Sequence, residues 1–275
     1  MPNFIVGARL HDYGKGTPDE LFGKVSADGF AAVQLAYKKC VPSVKSYADV
    51  TDALVAETVA AEKAHHIQVA VLGTYVELAI NDESRLCNVA DFKSQLAVCK
   101  ALGAGCIGTE TTAMSKQPAG TTRAQAQELL CRSLAEILPA AEALGVTVGI
   151  EPVTYHSMNS AAATRHILDT MRSPNLKVIF DMSNLVSAEN VDAQDRIWYD
   201  MGTLLGDQIV AVHFKGQAFA PDGSLLHTSL EESRTDYAGA FAMLRQLPQP
   251  ALPVLREEAV PARAASDIAF RTGFF

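Results

Sequence analysis

VTVGIEPV (146–153), LKVIFDMSN (176–184), IVAVHFKG (209–216) and LPVLREEAV (252–260) are four short, largely β-branched apolar runs, each of which stops at ionisable residues. Near-continuous apolar character over so few residues is the mark of a strand buried on both faces, as in a parallel sheet. Between and after them lie segments with helical spacing, 161–171, 191–205, 237–247 and 262–270. Toward the N-terminus the same alternation continues. FIVGARL from Phe4, FAAVQLAY from Phe30, IQVAVLGTY from Ile67 and AGCIGTET from Ala104 read as strands, with helices expected over 18–28, 47–65, 89–102 and 123–144. Thr17 before Pro18 and an Asp-Glu pair has the form of an N-cap with proline at the first helical position. Gly29, Gly103 and Gly145 stand where a helix C-terminus needs positive φ.

Strand and helix alternate with no hairpin signal between them, so consecutive strands must be parallel and joined by helical crossovers. Eight such units in a chain without a Ser/Gly/Pro-rich divider favour an α/β fold of the closed (β/α)8 type, a TIM barrel, over a doubly wound open sheet. A single domain over 1–275 is expected, at about 34 residues per unit. The stretch 216–234 is expected as one long irregular loop, of the length usually given to a lid or binding loop.

Apolar residues make up 48% and charged residues 20%, an ordinary globular balance that excludes disordered and collagen-like chains. A net charge of −8 disfavours nucleic acid and anionic membrane as partners. No apolar run is long enough to span a bilayer, and the N-terminus has no basic segment followed by an apolar one, so a cytoplasmic location is expected. Five cysteines, an odd number with no CxxC pair, suit reduced thiols rather than a disulfide framework.

A barrel of this type builds its active site at the C-terminal ends of its strands. The last four runs end in Glu151, Asp181, His213 and Glu257 followed by Glu258. An open sheet would string these ends along a line, whereas a barrel brings four consecutive ones together. Three carboxylates and an imidazole are an oxygen-rich donor set suited to Mn²⁺ or Mg²⁺, with Co²⁺ or Zn²⁺ as further candidates. Without a cation, three acids held that close would repel one another.

GIEPV, FDMSN, VHFKG and LREEA at these ends resemble the xylose isomerase-like TIM barrels, the sugar phosphate isomerase/epimerase group. The resemblance runs through nearly the whole chain. It implies a divalent metal held by Glu151, Asp181, His213 and Glu257, with Glu151 and Glu257 also moving protons. Spacing suits Glu257 slightly better than Glu258, and strand alternation lets only one of them face the site. Members that cleave DNA with three zinc ions carry further histidines, where this chain has Thr74 and Tyr75, Thr109 and Glu110, and Asn184. A DNA endonuclease is therefore disfavoured. Asn184 also departs from the ketose epimerases, in which a histidine at that place contacts substrate.

The resemblance thus implies a metal-dependent isomerase or epimerase of a sugar or keto-polyol, working through an enediolate. An inosose-type dehydratase using the same site is the alternative, and a non-catalytic sugar-binding barrel a lesser one. A small-molecule carbohydrate is the expected partner; relatives often pair, which admits a homodimer, though no apolar patch in the sequence demands one. His156, Lys215, Asn184 and Glu110 are the expected substrate contacts, with Lys215 either meeting an anionic group or pairing with Glu110 or Glu258. Gln34 either lines the mouth or fills a polar layer. Arg256 should point away, toward the helices. His65 and His66 sit at a helix C-terminus, where imidazolium suits the dipole and no function is needed.

Overall fold

The computed structural model describes residues 2–274. In chain order the elements are β1 (Asn3–Arg9), α1 (Pro18–Ala27), β2 (Ala32–Leu35), the single turn α2 (Tyr37–Cys40), α3 (Asp52–His65), β3 (Gln68–Gly73), α4 (Ser84–Ser94) and α5 (Leu96–Leu102). They continue with β4 (Cys106–Glu110), α6 (Arg123–Leu144), β5 (Val148–Glu151), α7 (Ala161–Met171), β6 (Leu176–Asp181) and α8 (Gln194–Leu205). The last are β7 (Ile209–Phe214), β8 (Gly216–Phe219), β9 (Leu225–Thr228), α9 (Tyr237–Leu244), β10 (Ala251–Arg256) and α10 (Ala264–Thr272).

Strands β1 to β7 and β10 close into a parallel barrel in the order β1-β10-β7-β6-β5-β4-β3-β2. This is a (β/α)8 TIM barrel, as the alternation of runs requires. All eight expected strands form. Inside the barrel, Ile179 and Leu255 occupy the space that glycines leave open. A Cβ at Gly108 would lie 2.4 Å from Ile179 Cδ1, and one at Gly149 2.8 Å from Ile179 Cγ1. The interior beneath the mouth is therefore packed solid. Outside it, the helices bury their apolar faces on the strands in one large core, with Trp198 of α8 set edge-on to Phe180 of β6.

Helix ends follow the caps written in the sequence. Thr17 and Thr122 each form a capping box, with Glu20 and Gln125, while Gly103 and Gly145 take φ of 66° and 68°. Two expected helices differ. The one expected over 47–65 is a short 3-10 turn at Tyr47–Asp49 followed by α3, because Thr51 caps a fresh N-terminus. The one expected over 89–102 starts earlier, at Ser84, and is broken at Gln95, whose side chain leaves to meet the Tyr47 carbonyl.

The larger correction concerns 216–234. It is not irregular: β8 and β9 pair antiparallel, Gly216 opposite Thr228, in a hairpin outside the barrel sheet. Its turn is Pro-Asp-Gly with Gly223 at φ 82°, an ordinary turn sequence. At the other end of the chain α10 closes the seam between β1 and β10. Arg271 is fully buried there and donates to the carbonyls of Gly7 and Val254 at 3.3 and 3.1 Å. All five cysteines are free thiols. No helix among the described residues is long and apolar enough to cross a membrane.

Candidate active site

Register brings the ionisable strand ends together. Asp181 lies beside His213 across β6 and β7, and Glu151 beside Glu110 across β5 and β4. Glu257, one residue beyond β10, turns inward, whereas Arg256 before it turns outward to Asp267 of α10 at 2.9 Å. Glu258 takes a left-handed conformation at φ 53° and pairs with Arg9 at 2.9 Å on the rim. Of the two adjacent glutamates, it is Glu257 that faces the barrel axis.

His213 Nδ1 lies 3.1 Å from Glu151 Oε2 and 3.5 Å from Glu257 Oε1. Asp181 Oδ1 accepts the backbone N–H groups of Ser183 and Asn184 at 2.7 and 3.0 Å, which fixes the carboxylate at the head of the loop after β6. The same loop sends Asn184 Nδ2 to Glu151 Oε1 at 2.5 Å. Lys215 Nζ bridges Asp181 Oδ2 and Glu257 Oε2, at 3.0 and 3.3 Å. Both partners differ from the Glu110 and Glu258 expected for Lys215. Two residues past His213 it does face the same side, but the barrel wall curves it onto neighbouring strands.

Burial and charge pull these groups apart. Burial raises Glu151 above the usual carboxylate range, only partly offset by His213. Burial acts the same way on Glu257, but Lys215, His213 and Arg9 outweigh it and hold that carboxyl well below its ordinary value. Burial disfavours a charged His213, yet Glu257 and Glu151 prevail and push it up to about 9. Glu110 is pushed up to about 8 by burial and by Glu151 and Glu257. His156, 3.8 Å from Glu110, is brought down to about 4, chiefly by burial with Lys116 adding to it.

One ligand atom each from Glu151, Asp181 and His213 can be drawn within 4.8 Å of one another. Glu257 adjoins this triad through His213. An oxygen-rich, buried set of donor atoms this close together fits a small divalent cation. Two carboxylate oxygens compete for the one proton that Nδ1 can carry, a conflict that a shared cation removes. Glu151, His213 and Glu257 border a cavity, with Gln34, Tyr75 and Thr109, of about 10 Å³, the room of a single water or ion. Tyr75, Thr109 and Glu110 of its wall also line a chamber of about 430 Å³ that reaches His156 and Lys39.

Three residues of the mouth escaped the sequence reading. Arg9 ends the first apolar run just as Glu151 ends the fifth, and it reaches Glu257 at 3.8 Å as well as Asp12 at 2.7 Å. As a charged residue closing an apolar strand it carries the same signal in the sequence. Tyr75 adopts φ 53°, accepts from Gln34 at 2.7 Å and lies under Lys39, 3.3 Å from ring centroid to Nζ. A tyrosine held in that region is a local strain of the kind found at binding sites. No spacing in the sequence marks Lys39 or Tyr75.

Residues 22–258 match the family model of the xylose isomerase-like TIM barrel. The chain belongs to this family. Solved structures that share the fold of this xylose isomerase-like barrel include an apo 3-keto-D-glucoside 4-epimerase from E. coli, 19% identical, with TM-score 0.72, covering 98% of this chain and 100% of that one. A D-allulose 3-epimerase from Methylomonas sp. is 14% identical, with TM-score 0.73 and coverage of 100% and 99%. An IolI protein with a bound zinc atom is also 14% identical, with TM-score 0.77 and coverage of 98% and 99%. No curated protein matches the chain in sequence.

Proposed function

We propose that this xylose isomerase-like barrel is a divalent-metal-dependent isomerase or epimerase of a sugar or keto-polyol. The observation that carries the reading is the pair Glu151 and Glu257, two buried carboxylates flanking one imidazole nitrogen at 3.1 and 3.5 Å. A proton shift on carbon needs two such groups, one to take the proton and one to give it back. The solved epimerases that share the fold act on sugars and support the same class.

Glu151 is the stronger base of the two, and takes the proton from the carbon next to the substrate carbonyl. Asn184, donating to its outer oxygen, fixes the orientation of the carboxylate and leaves Oε2 toward the reaction. Glu257, ionised at rest, first takes a proton from solvent or from a substrate hydroxyl and then returns it, to the same carbon for epimerisation or to the neighbouring one for isomerisation. Bound by Glu151, Asp181, His213 and Glu257, a divalent ion, Mn²⁺ or Mg²⁺ by the oxygen content of the set, would stabilise the charge of the enediolate. Glu110 and His156 border the chamber above and are placed to meet substrate hydroxyls.

The test is Glu151→Gln, assayed for exchange of substrate hydrogen with solvent deuterium. Exchange should vanish while the circular dichroism spectrum stays unchanged. Retained exchange removes Glu151 from the base role. Release of water in place of an isomer assigns the inosose-type dehydratase instead.

A further inference from the structure

The hairpin after β7 is anchored at its base and open at its tip. Gln217 Nε2 donates to the carbonyls of Ser183 and Val186, at 2.7 and 3.2 Å, and the Arg234 N–H donates to the Gln217 carbonyl at 2.7 Å. Gly216 is obligatory at the bend, since a Cβ there would sit 2.2 Å from the Thr228 carbonyl oxygen. Held in this way, the hairpin forms one wall of a second, open cavity of about 710 Å³ against the loops after β5 and β6. Tyr155, Ala188, Phe219, Pro221 and Leu225 line it, and so does Asn184, the residue bonded to Glu151. Tyr155, whose ring is half-exposed, also lines the chamber that Tyr75, Thr109 and Glu110 share with the carboxylate cavity, so the two spaces have this residue in common.

We propose that this second cavity is a subsite for a second ring, joined glycosidically to the sugar that reacts at Glu151 and Glu257. Ligand pockets run from about 300 to 1,000 Å³. The chamber of about 430 Å³ is already enough for one sugar, so the cavity of about 710 Å³ exceeds what a monosaccharide needs. Its chemistry suits a ring face and not an anion. Tyr155, Phe219, Pro221 and Leu225 offer apolar surface to the C–H face of a pyranose or to an aryl group. The one guanidinium there, that of Arg123, is engaged by the carbonyls of Thr154 and His156. Glu189 and Asp222 on the cavity wall would repel a phosphate or carboxylate.

With the second ring as the aglycone, the glycosidic bond masks the anomeric carbon of the reacting sugar. The carbonyl that the proton shift needs must then be a ketone in the ring, and the substrate class is a keto-glycoside. Substrate and product are isomers, so no co-reactant is required. The inference rests on the proton-shift reading for its chemistry and on the cavity alone for its binding.

Calorimetry in the presence of Mn²⁺ tests it, with D-glucose, phenyl β-D-glucopyranoside and cellobiose as unreactive probes. Covering about 60 Å² of apolar ring face gives about a tenfold gain in affinity, so both glycosides should bind at least that much more tightly than glucose. Ala188→Trp, which fills the cavity from an exposed position, and Leu225→Asp on the exposed hairpin tip should each abolish the gain and leave glucose binding unchanged. Equal affinity for glucose and the glycosides, no binding of any of them, or a gain that survives both variants overturns the subsite. A gain that behaves as expected, with no solvent deuterium entering a keto-glycoside, overturns the proton-shift reading and keeps the subsite.

Discussion

Lys215 offers the sharpest test of how the site is balanced. Its ammonium is buried between Asp181 and Glu257, at 3.0 and 3.3 Å, and both burial and charge place it among carboxylates that repel one another. Lys215→Met keeps the length of the side chain and removes the charge. Breaking a buried ion pair costs about 3–5 kcal/mol, because the partner is left uncompensated. Here the lower end applies. Asp181 retains two backbone N–H donors, and Glu257 retains His213 at 3.5 Å and Arg9 at 3.8 Å. At about 2–4 °C per kcal/mol for a chain of this size, the metal-free variant should melt about 6–12 °C below the parent. A divalent ion on Asp181 and Glu257 takes over the neutralisation, and it no longer meets the repulsion of a neighbouring ammonium. Metal should therefore bind the variant more tightly and close at least half of the gap in melting temperature. Calorimetric scans of both proteins, with and without Mn²⁺, make the comparison. An equal gap in the two conditions would refute the reasoning, since Lys215 would then be acting through packing alone.

Asn184→Ala should lower turnover about 10- to 100-fold with little change in metal content, as loss of a group that orients a metal-binding carboxylate does. The amide stabilises ionised Glu151, so its removal raises that pKa and should move the acidic limb of the pH-rate profile upward; an unmoved limb disconnects Asn184 from the base. Stability should also depend on pH in the metal-free protein. His213 rises from 6.5 to about 9 on folding, so its contribution is complete below pH 6.5 and is lost as pH climbs through 9. Glu110 rises from 4.5 to about 8, and its stabilising proton is likewise lost between those values. Denaturant midpoints should accordingly fall from about pH 5 to pH 9, and added metal, which displaces the His213 proton, should flatten the upper part of that slope.

Much of the fold was legible because a parallel barrel repeats one signal. Each strand is buried on both faces, so it reads as an apolar run, and caps such as Thr17, Thr122, Gly103 and Gly145 act through local backbone geometry. Helices were misjudged where a distant contact decided, as at Gln95, whose side chain bonds the Tyr47 carbonyl. The hairpin is marked only by its short Pro-Asp-Gly turn, a weaker signal than the repeated strand-helix units around it. In the site, Glu151, Asp181, His213 and the pair Glu257 and Glu258 are candidates by their position at the ends of apolar runs, and the sequence leaves open which of the two glutamates faces inward. Arg9 obeys the same rule. Lys39 and Tyr75 obeyed none, since their roles come from meeting each other across separate loops.

The sequence by itself determined the class of fold, the order of its units and the residue types gathered at one end of it. Those follow from periodicity, capping and strand length, which act over a few residues. Only the tertiary structure decided which neighbours those residues have. Closing the barrel sets Lys215 between Asp181 and Glu257, turns Glu257 inward and Glu258 outward, and places Asn184 on Glu151. It also stands the hairpin over a second cavity. The physical reason is that charge interaction and burial depend on distance through space, and two residues far apart in the chain acquire that distance only when the ends of the sheet meet.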